Sequence, residues 1–236
     1  MNENDTVRLN KFIADSGFCS RREADRLIDE GRVIVDGLKA NLGDKIRPGQ
    51  DVNVDGIPLE REEESVLLIF NKPAGIVCTT DDCEENNVVR FIDYPKRIYP
   101  IGRLDKYSEG LLLLTNRGDL VNGIMRSRYG HEKEYIVTVD RPVTEIFLRN
   151  MSSGVPILGT TTKPCRIGKI ARNRFDIVIT QGMNRQIRRM CEYLGYRVTS
   201  LKRIRVMNIV LGDLRPGEYR KASGDEMEEV LRHKAE

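Results

Sequence analysis

At 236 residues, with 39% hydrophobic and 32% charged side chains, the chain suits two domains, each able to bury a core. No long uncharged apolar run is present, which excludes a helical membrane span, and the polar, acidic start is unlike a secretory signal. Five scattered cysteines without a Cys-x-x-Cys pair indicate neither a zinc site nor a disulfide framework, and point to reduced thiols in the cytoplasm. The net charge of +3 is modest but unevenly spread. Between Lys163 and Arg205 twelve bases stand against Asp176 and Glu192, whereas acids gather from Glu60 to Glu64 and from Glu226 to Glu229. Such segregation implies a polyanionic partner.

Val7 to Phe18 reads as a short helix with Leu9, Phe12 and Ile13 on one face and Gly17 at its end. Ser20 and Glu23 form the capping-box pattern of a second helix, whose apolar face is Ala24, Leu27 and Ile28 and whose stop is Gly31. Arg32–Gly37 and Asp51–Gly56 read as strands running into turns. Lys11, Arg21, Arg22 and Arg26 lie on the helices, yet residues 1–60 carry more acids than bases. The residues alone leave a basic helix face and a structural domain with solvated arginines equally open. The charged run 61–65 is a linker, and the domain boundary falls there.

Val66 to Phe70 reads as a buried strand, and Lys72-Pro73 as the turn at its end. Asn87 to Tyr94 suits a short helix. Next comes Ile101-Gly102-Arg103-Leu104-Asp105, and then the apolar run Leu111 to Leu114, bounded by Gly110 and Asn116. The run fits a strand buried on both faces. In extended chain Arg103 and Asp105 point to one side and Leu104 to the other. Taken alone, that pair reads as a surface ion pair at a turn.

Gly118 to Met125 has helical spacing, and Glu134 to Val139 reads as a strand with Tyr135, Val137 and Val139 on one face. Glu145 to Met151 suits a helix; Lys163–Ile170 and Arg174–Thr180 suit a strand pair around a basic turn. Asn184 is a good N-cap for a helix with apolar Ile187, Met190, Cys191 and Leu194, closed by Gly195. Arg185, Arg188 and Arg189 fall on its other face, where three cations near a positive helix end make sense beside an anion. Val198 to Val210 is strand-rich, with Arg203 and Arg205 on one face. Ser223 and Glu226 cap a final helix.

Gly102-Arg103-Leu104-Asp105 followed by Gly110-Leu111-Leu112-Leu113-Leu114-Thr115-Asn116 resembles the catalytic motif of pseudouridine synthases. Gly182-Met183-Asn184-Arg185-Gln186-Ile187-Arg188-Arg189-Met190 and Lys133-Glu134-Tyr135 resemble two further motifs of the RsuA/RluB/RluE/RluF branch, in the right order. Ser20-Arg21-Arg22-Glu23-Ala24 and Gly31-Arg32-Val33 resemble the S-four-like (alpha-L) RNA-binding domain. Within the branch, the segments 131–135, 154–160 and 189–195 look closest to the RluF type, which modifies large-subunit ribosomal RNA in a stem-loop. Tyr107 and Ser108 depart from the acidic residue and threonine frequent in relatives.

The resemblance implies an α+β protein: a small RNA-binding domain at 1–60, a linker at 61–65, and a catalytic domain at 66–236 with a mixed, mostly antiparallel sheet and flanking helices. It implies isomerisation of a uridine in large-subunit (23S) ribosomal RNA, without cofactor or metal, by a cytoplasmic monomer. Asp105 is the expected nucleophile, Arg188 its ion-pair partner with Arg103 as local alternative, Tyr135 the residue stacked on the base, and Ile187 packs beside it. Expected RNA contacts are Arg103, Leu104, Lys106, Arg185, Gln186, Ile187, Arg188, Arg189, Arg203 and Arg205, with Lys11, Arg21, Arg22 and Arg26 on the N-terminal domain. A non-catalytic RNA-binding or assembly factor, and the same chemistry on small-subunit or transfer RNA, are the alternatives.

Overall fold

The computed structural model describes residues 6–60, 64–81, 83–125 and 130–232. His233 and residues 61–63 of the expected linker lie outside them. The chain divides into two compact units, Met1–Ser65 and Val66–Glu236.

In the first unit the elements run β1 (Val7–Arg8), α1 (Leu9–Asp15), α2 (Arg21–Asp29), β2 (Val33–Val35), β3 (Leu38–Lys39), β4 (Lys45–Ile46), β5 (Val52–Val54) and β6 (Ile57–Pro58). The expected helix from Val7 begins instead at Leu9. Val7 and Arg8 pair with Ile46 and Lys45 as strands, and Leu9 N–H donates to the Asp44 carbonyl at 2.9 Å. A long-range ladder has overridden a local helical pattern there. Ser20 caps α2 as expected, accepting from Glu23 N–H at 3.1 Å. Leu9, Ile13, Ala24, Leu27 and Ile28 from the two helices meet Val33, Val52 and Val54 in one small core.

The second unit runs β7 (Leu67–Lys72), α3 (Val88–Ile92), β8 (Tyr99–Ile101), β9 (Glu109–Thr115), α4 (Gly118–Met125), β10 (Lys133–Val139), α5 (Glu145–Ser152), β11 (Pro156–Ile157), β12 (Thr160–Thr161), β13 (Arg166–Ala171), β14 (Arg174–Ile179), α6 (Gln186–Tyr193), β15 (Val198–Val206), β16 (Ile209–Val210), β17 (Tyr219–Lys221) and α7 (Gly224–Arg232). One sheet dominates, ordered β13-β14-β10-β15-β9-β7-β17, with β8 on β9 and β16 on β15. Every pairing in it is antiparallel except β15 with β9.

The apolar runs of β7 and β9 supply both faces of this sheet. Leu68, Phe70, Leu112 and Leu114 enter the larger core with Phe147 of α5 and Ile187, Met190 and Cys191 of α6. Leu67, Ile69, Leu111 and Leu113 enter the opposite core with Leu120 and Ile124 of α4 and Val230 of α7. A strand covered on both sides needs no polar alternation, which is why Leu111 to Leu114 is continuous. The Ser223 cap is reciprocal: Glu226 N–H donates to Ser223 Oγ at 3.3 Å, and Ser223 N–H to Glu226 Oε2 at 2.8 Å.

Gly110 marks the parallel junction, opposite Arg203 of β15. Its φ is +98°, and a Cβ there would stand 2.1 Å from the Arg203 carbonyl oxygen. Only glycine permits both the backbone angle and the approach.

Candidate active site

A cavity of about 310 Å³ opens where four segments converge: the β8–β9 loop, the start of β10, the residues before α6, and the middle of β15. Among the described residues, Asp105 is the one carboxylate in its lining. Around it stand Arg103, Arg185, Lys133 and Arg203, with Tyr135, Leu104, Ile179, Ile187 and Leu201 as apolar wall.

The loop that presents Asp105 is held from several sides. Leu104 is buried in the larger core, and its N–H donates to Cys78 Sγ at 3.3 Å. Arg103 is exposed and Asp105 partly so, so the alternation expected of extended chain is realised. Ser108 N–H closes a turn on the Asp105 carbonyl at 2.9 Å, and Gly75 N–H donates to the Lys106 carbonyl at 2.7 Å. Beneath the loop Lys72 is wholly buried. Its ammonium donates to the carbonyls of Pro73 (2.8 Å), Ser108 (2.9 Å) and Lys106 (3.2 Å). Burial lowers the Lys72 pKa, while Cys78, Glu109 and Asp105 oppose that fall. The expected plain turn at Lys72-Pro73 is thus a buried ammonium that ties β7 to the loop.

Two guanidiniums face the carboxylate. Arg185 Nη1 and Arg188 Nε each lie 3.9 Å from Asp105 Oδ2. Arg188 also donates to the Tyr107 carbonyl (3.2 Å) and Ser108 Oγ (3.3 Å), so it grips the loop as well as the acid. Its Nε is buried without a hydrogen bond. Burial lowers the Arg188 pKa, as does Arg185 beside it, while Asp105 acts the other way. At 3.9 Å these are ion pairs rather than hydrogen bonds. The carboxylate oxygens therefore retain acceptor and nucleophilic capacity while their charge is balanced.

The helix start differs from expectation. Asn184 does not cap α6; Arg185 occupies the cap position in the left-handed region at φ +49°, without a side-chain cap bond. Asn184 instead accepts from Arg189 through its carbonyl (3.1 Å) and Oδ1 (3.3 Å). Arg189 is thereby turned away from the arginine pair that faces Asp105. Gln186 is buried, and its Oε1 accepts from Met183 N–H at 3.1 Å.

The structure brings Arg103, Leu104, Asp105, Tyr135, Arg185, Gln186, Ile187 and Arg203 to one cavity, with Arg188 behind the acid. Lys106 is exposed and outside the lining; Arg189 and Arg205, both half-buried, are outside it too. Arg205 does not share a fate with Arg203. The β10–β15 ladder shifts register between Glu134 and Tyr135, placing Tyr135 opposite Arg203 and Glu134 opposite Arg205. Arg205 is held by Glu134 (2.7 Å) and Glu132 (3.0 Å). In the first unit, Arg21 and Arg22 are exposed, Lys11 is partly so, and Arg26 is paired with Glu23 and Glu30.

Sequence reasoning missed three contributors. Lys72 was recognisable as a lysine continuing a strand buried on both faces. Lys133 precedes Tyr135 by two, so the strand period places it on the same face. Cys78 carried no local signal, because its contact with Leu104 spans a long loop. No group of three or more His, Cys, Asp or Glu side chains close enough to hold a metal occurs among the described residues. No helix among them is long and apolar enough to cross a membrane.

A strand-borne tyrosine, an aspartate on a braced loop and an arginine from a following helix thus meet on this sheet, and the comparisons with known proteins place the chain among RNA-modifying enzymes. Residues 66–193 match the family model of RNA pseudouridylate synthases and residues 7–52 that of the S4 domain, and the chain belongs to the RNA pseudouridylate synthase family. It is 54% identical over 229 residues to the dual-specificity RNA pseudouridine synthase RluF of Escherichia coli K12, covering 96% of this chain and 79% of that protein. It is 36% identical to the ribosomal small subunit pseudouridine synthase A of the same organism, covering 95% and 100%. A solved pseudouridylate synthase aligns with a TM-score of 0.70 at 31% identity, covering 95% of this chain and 99% of that one.

Proposed function

We propose that this enzyme isomerises a uridine in a stem-loop of large-subunit ribosomal RNA, with Asp105 as nucleophile. The observation that carries the assignment is that, among the described residues, Asp105 alone brings a carboxylate to the cavity, with two arginines 3.9 Å from it. An ionised acid in a confined site is what covalent catalysis at the sugar or ring requires. Tyr135 stacks on the extruded base and its hydroxyl is placed for proton movement; Ile187 packs beside the ring. Extrusion costs a few kcal/mol, least in a loop or bulge, and phosphate contacts from Arg103, Lys106, Arg185 and Arg189 offset it.

Residues 1–60 act as the RNA-binding domain, through Lys11, Arg21 and Arg22, and grip a neighbouring stem; 61–65 link them to the catalytic domain at 66–236. The protein works as a monomer in the cytoplasm. The dual specificity of the Escherichia coli relative favours a second RNA substrate, and transfer RNA is the class to test.

The test is carbodiimide mapping with primer extension on ribosomal and transfer RNA from cells lacking the gene. One large-subunit stop should vanish and return with the wild-type gene, but not with Asp105→Asn. Purified Asp105→Asn should bind the RNA as tightly as wild type while making no pseudouridine. Turnover by that variant, or persistence of every stop in the deleted strain, refutes the assignment.

A further inference from the structure

We propose that Lys133 and Arg203 form an anion subsite that stabilises uracil while it is detached from ribose, making Lys133 a further catalytic residue. This rests on the reading of the cavity as the site of isomerisation.

Both side chains line the cavity next to Tyr135. Lys133 and Tyr135 are alternate residues of β10, and Arg203 is the β15 partner of Tyr135. Each cation is anchored by a neutral carbonyl: Lys133 Nζ on His131 at 3.1 Å, and Arg203 Nε on Leu111 at 2.7 Å. Neither meets a carboxylate within ion-pair distance among the described residues, and the cavity's lone carboxylate already faces Arg185 and Arg188. Arg203 is only 4% exposed. Two cations held in a recess without a counter-charge cost stability unless an anion arrives.

Which anion follows from depth. A backbone phosphate stays at the surface, whereas Arg203 lies at the sheet, beside the aromatic and aliphatic wall where a flat ring fits. As an Asp105 carboxylate oxygen bonds to C1′, the C1′–N1 bond breaks, its electron pair leaves with uracil, and the charge spreads over N1, O2 and O4. Reattachment uses the C5 electron pair to form C5–C1′ as the bond from Asp105 to C1′ breaks and its electron pair returns to the carboxylate; C5 then loses a proton and N1 gains one, so the product is an isomer. Between those steps the ring is an anion, and hydrogen-bond donors preorganised toward its oxygens lower the barrier.

Lys133 must be an ammonium for this role. Burial, with the Arg203 charge added, pushes its pKa down to about 8. The groups around it are Arg203 from β15, Tyr135 from its own strand, Asp105 and Arg103 from the catalytic loop, and Arg185 before α6. A carboxylate does not raise it, so the ammonium is lost just above neutrality.

The experiment is single-turnover formation of the C5–C1′ bond with saturating enzyme, on large-subunit RNA transcripts containing uridine, scored as pseudouridine, or 5-fluorouridine, whose C5 has no proton to lose and whose rearranged ring is scored as its C6 hydrate, after nuclease digestion and chromatography. Fluorine stabilises the detached ring anion and lessens the need for protein donors. Lys133→Gln should slow uridine conversion by about 10²-fold, the magnitude typical of one preorganised donor. It should slow 5-fluorouridine conversion markedly less. Lys133→Arg should restore most of the rate and abolish the decline of the wild-type rate above pH 8. Equal slowing on both transcripts, or weaker RNA binding at an unchanged saturated rate, overturns the proposal; the latter assigns the pair to a phosphate. If Lys133→Gln fails to fold, the Lys133→Arg pH profile decides, and an unaltered alkaline decline overturns it. Asp105→Asn serves as control. An inactive wild type or an active Asp105→Asn condemns the reading of the cavity, whereas a fast Lys133→Gln beside a dead Asp105→Asn condemns this inference alone.

Discussion

Arg203 and Arg205 stand two residues apart on one strand, and their surroundings differ throughout. Arg203 is buried at the cavity, anchored by a carbonyl and faced by another cation. Arg205 lies in an outer cluster in which Glu132 and Glu134 hold it, while Glu132 also takes Arg166 at 2.7 Å. The same contrast recurs on α2, where Arg26 is spanned by Glu23 and Glu30 but Arg21 and Arg22 make no ion pair among the described residues. Cations that the protein has already neutralised contribute little to a polyanionic partner. Those held by carbonyls, or left exposed, keep their charge available. The count of twelve bases against two acids overstates the free charge, because Glu134 of β10 and Glu132 just before it reach the segment.

The most damaging way to break the cavity side of this comparison is Gly110→Ala. The added Cβ collides with Arg203 backbone atoms at a positive φ, so β9 and β15 must separate. Destabilisation of roughly 4 kcal/mol is expected, the range reserved for named backbone defects, read by urea unfolding. Lys72→Met comes next. It removes three donations to the loop carbonyls, costing roughly 2–3 kcal/mol in unfolding free energy. It should also lower turnover by on the order of 10²-fold through displacement of Asp105.

Lys133→Met sharpens the contrast between function and stability. Lys133 titrates near 8 when folded and near its ordinary 10.5 when unfolded. Between those values the unfolded chain binds more protons, so wild-type stability rises with pH. The penalty for the buried ammonium is fully present below pH 8 and fades toward pH 10.5. Lys133→Met should therefore gain roughly 1 kcal/mol at pH 7 and lose that advantage at alkaline pH, while being catalytically impaired. A constant difference across urea melts at pH 7 and 10 contradicts this.

The smallest effects belong to α2. Replacing Arg21 and Arg22 together by alanine should reduce the slope of log affinity against log salt by about 2. Arg26→Ala should leave that slope unchanged and barely alter stability, as expected of an exposed ion pair. Equal slopes for both variants remove the distinction between free and neutralised arginines.

Much of this was legible locally. The β7 and β9 runs, the Tyr135 strand, the Ser20 and Ser223 caps and the loop bearing Asp105 all follow from period and punctuation within a few residues. Side-chain alternation alone set Leu104 on the side opposite Arg103 and Asp105, and the structure buries Leu104 and leaves the other two at least partly exposed. Three other outcomes needed the assembled sheet: the Lys72 ammonium under the loop, the displaced start of α6, and the register shift that separates Arg203 from Arg205. Each depends on partners far away in the chain, such as Ser108 for Lys72 or Glu132 for Arg205. Local propensity decides where a side chain points along its own strand or helix, but the charge it meets there comes from whichever element the fold brings alongside.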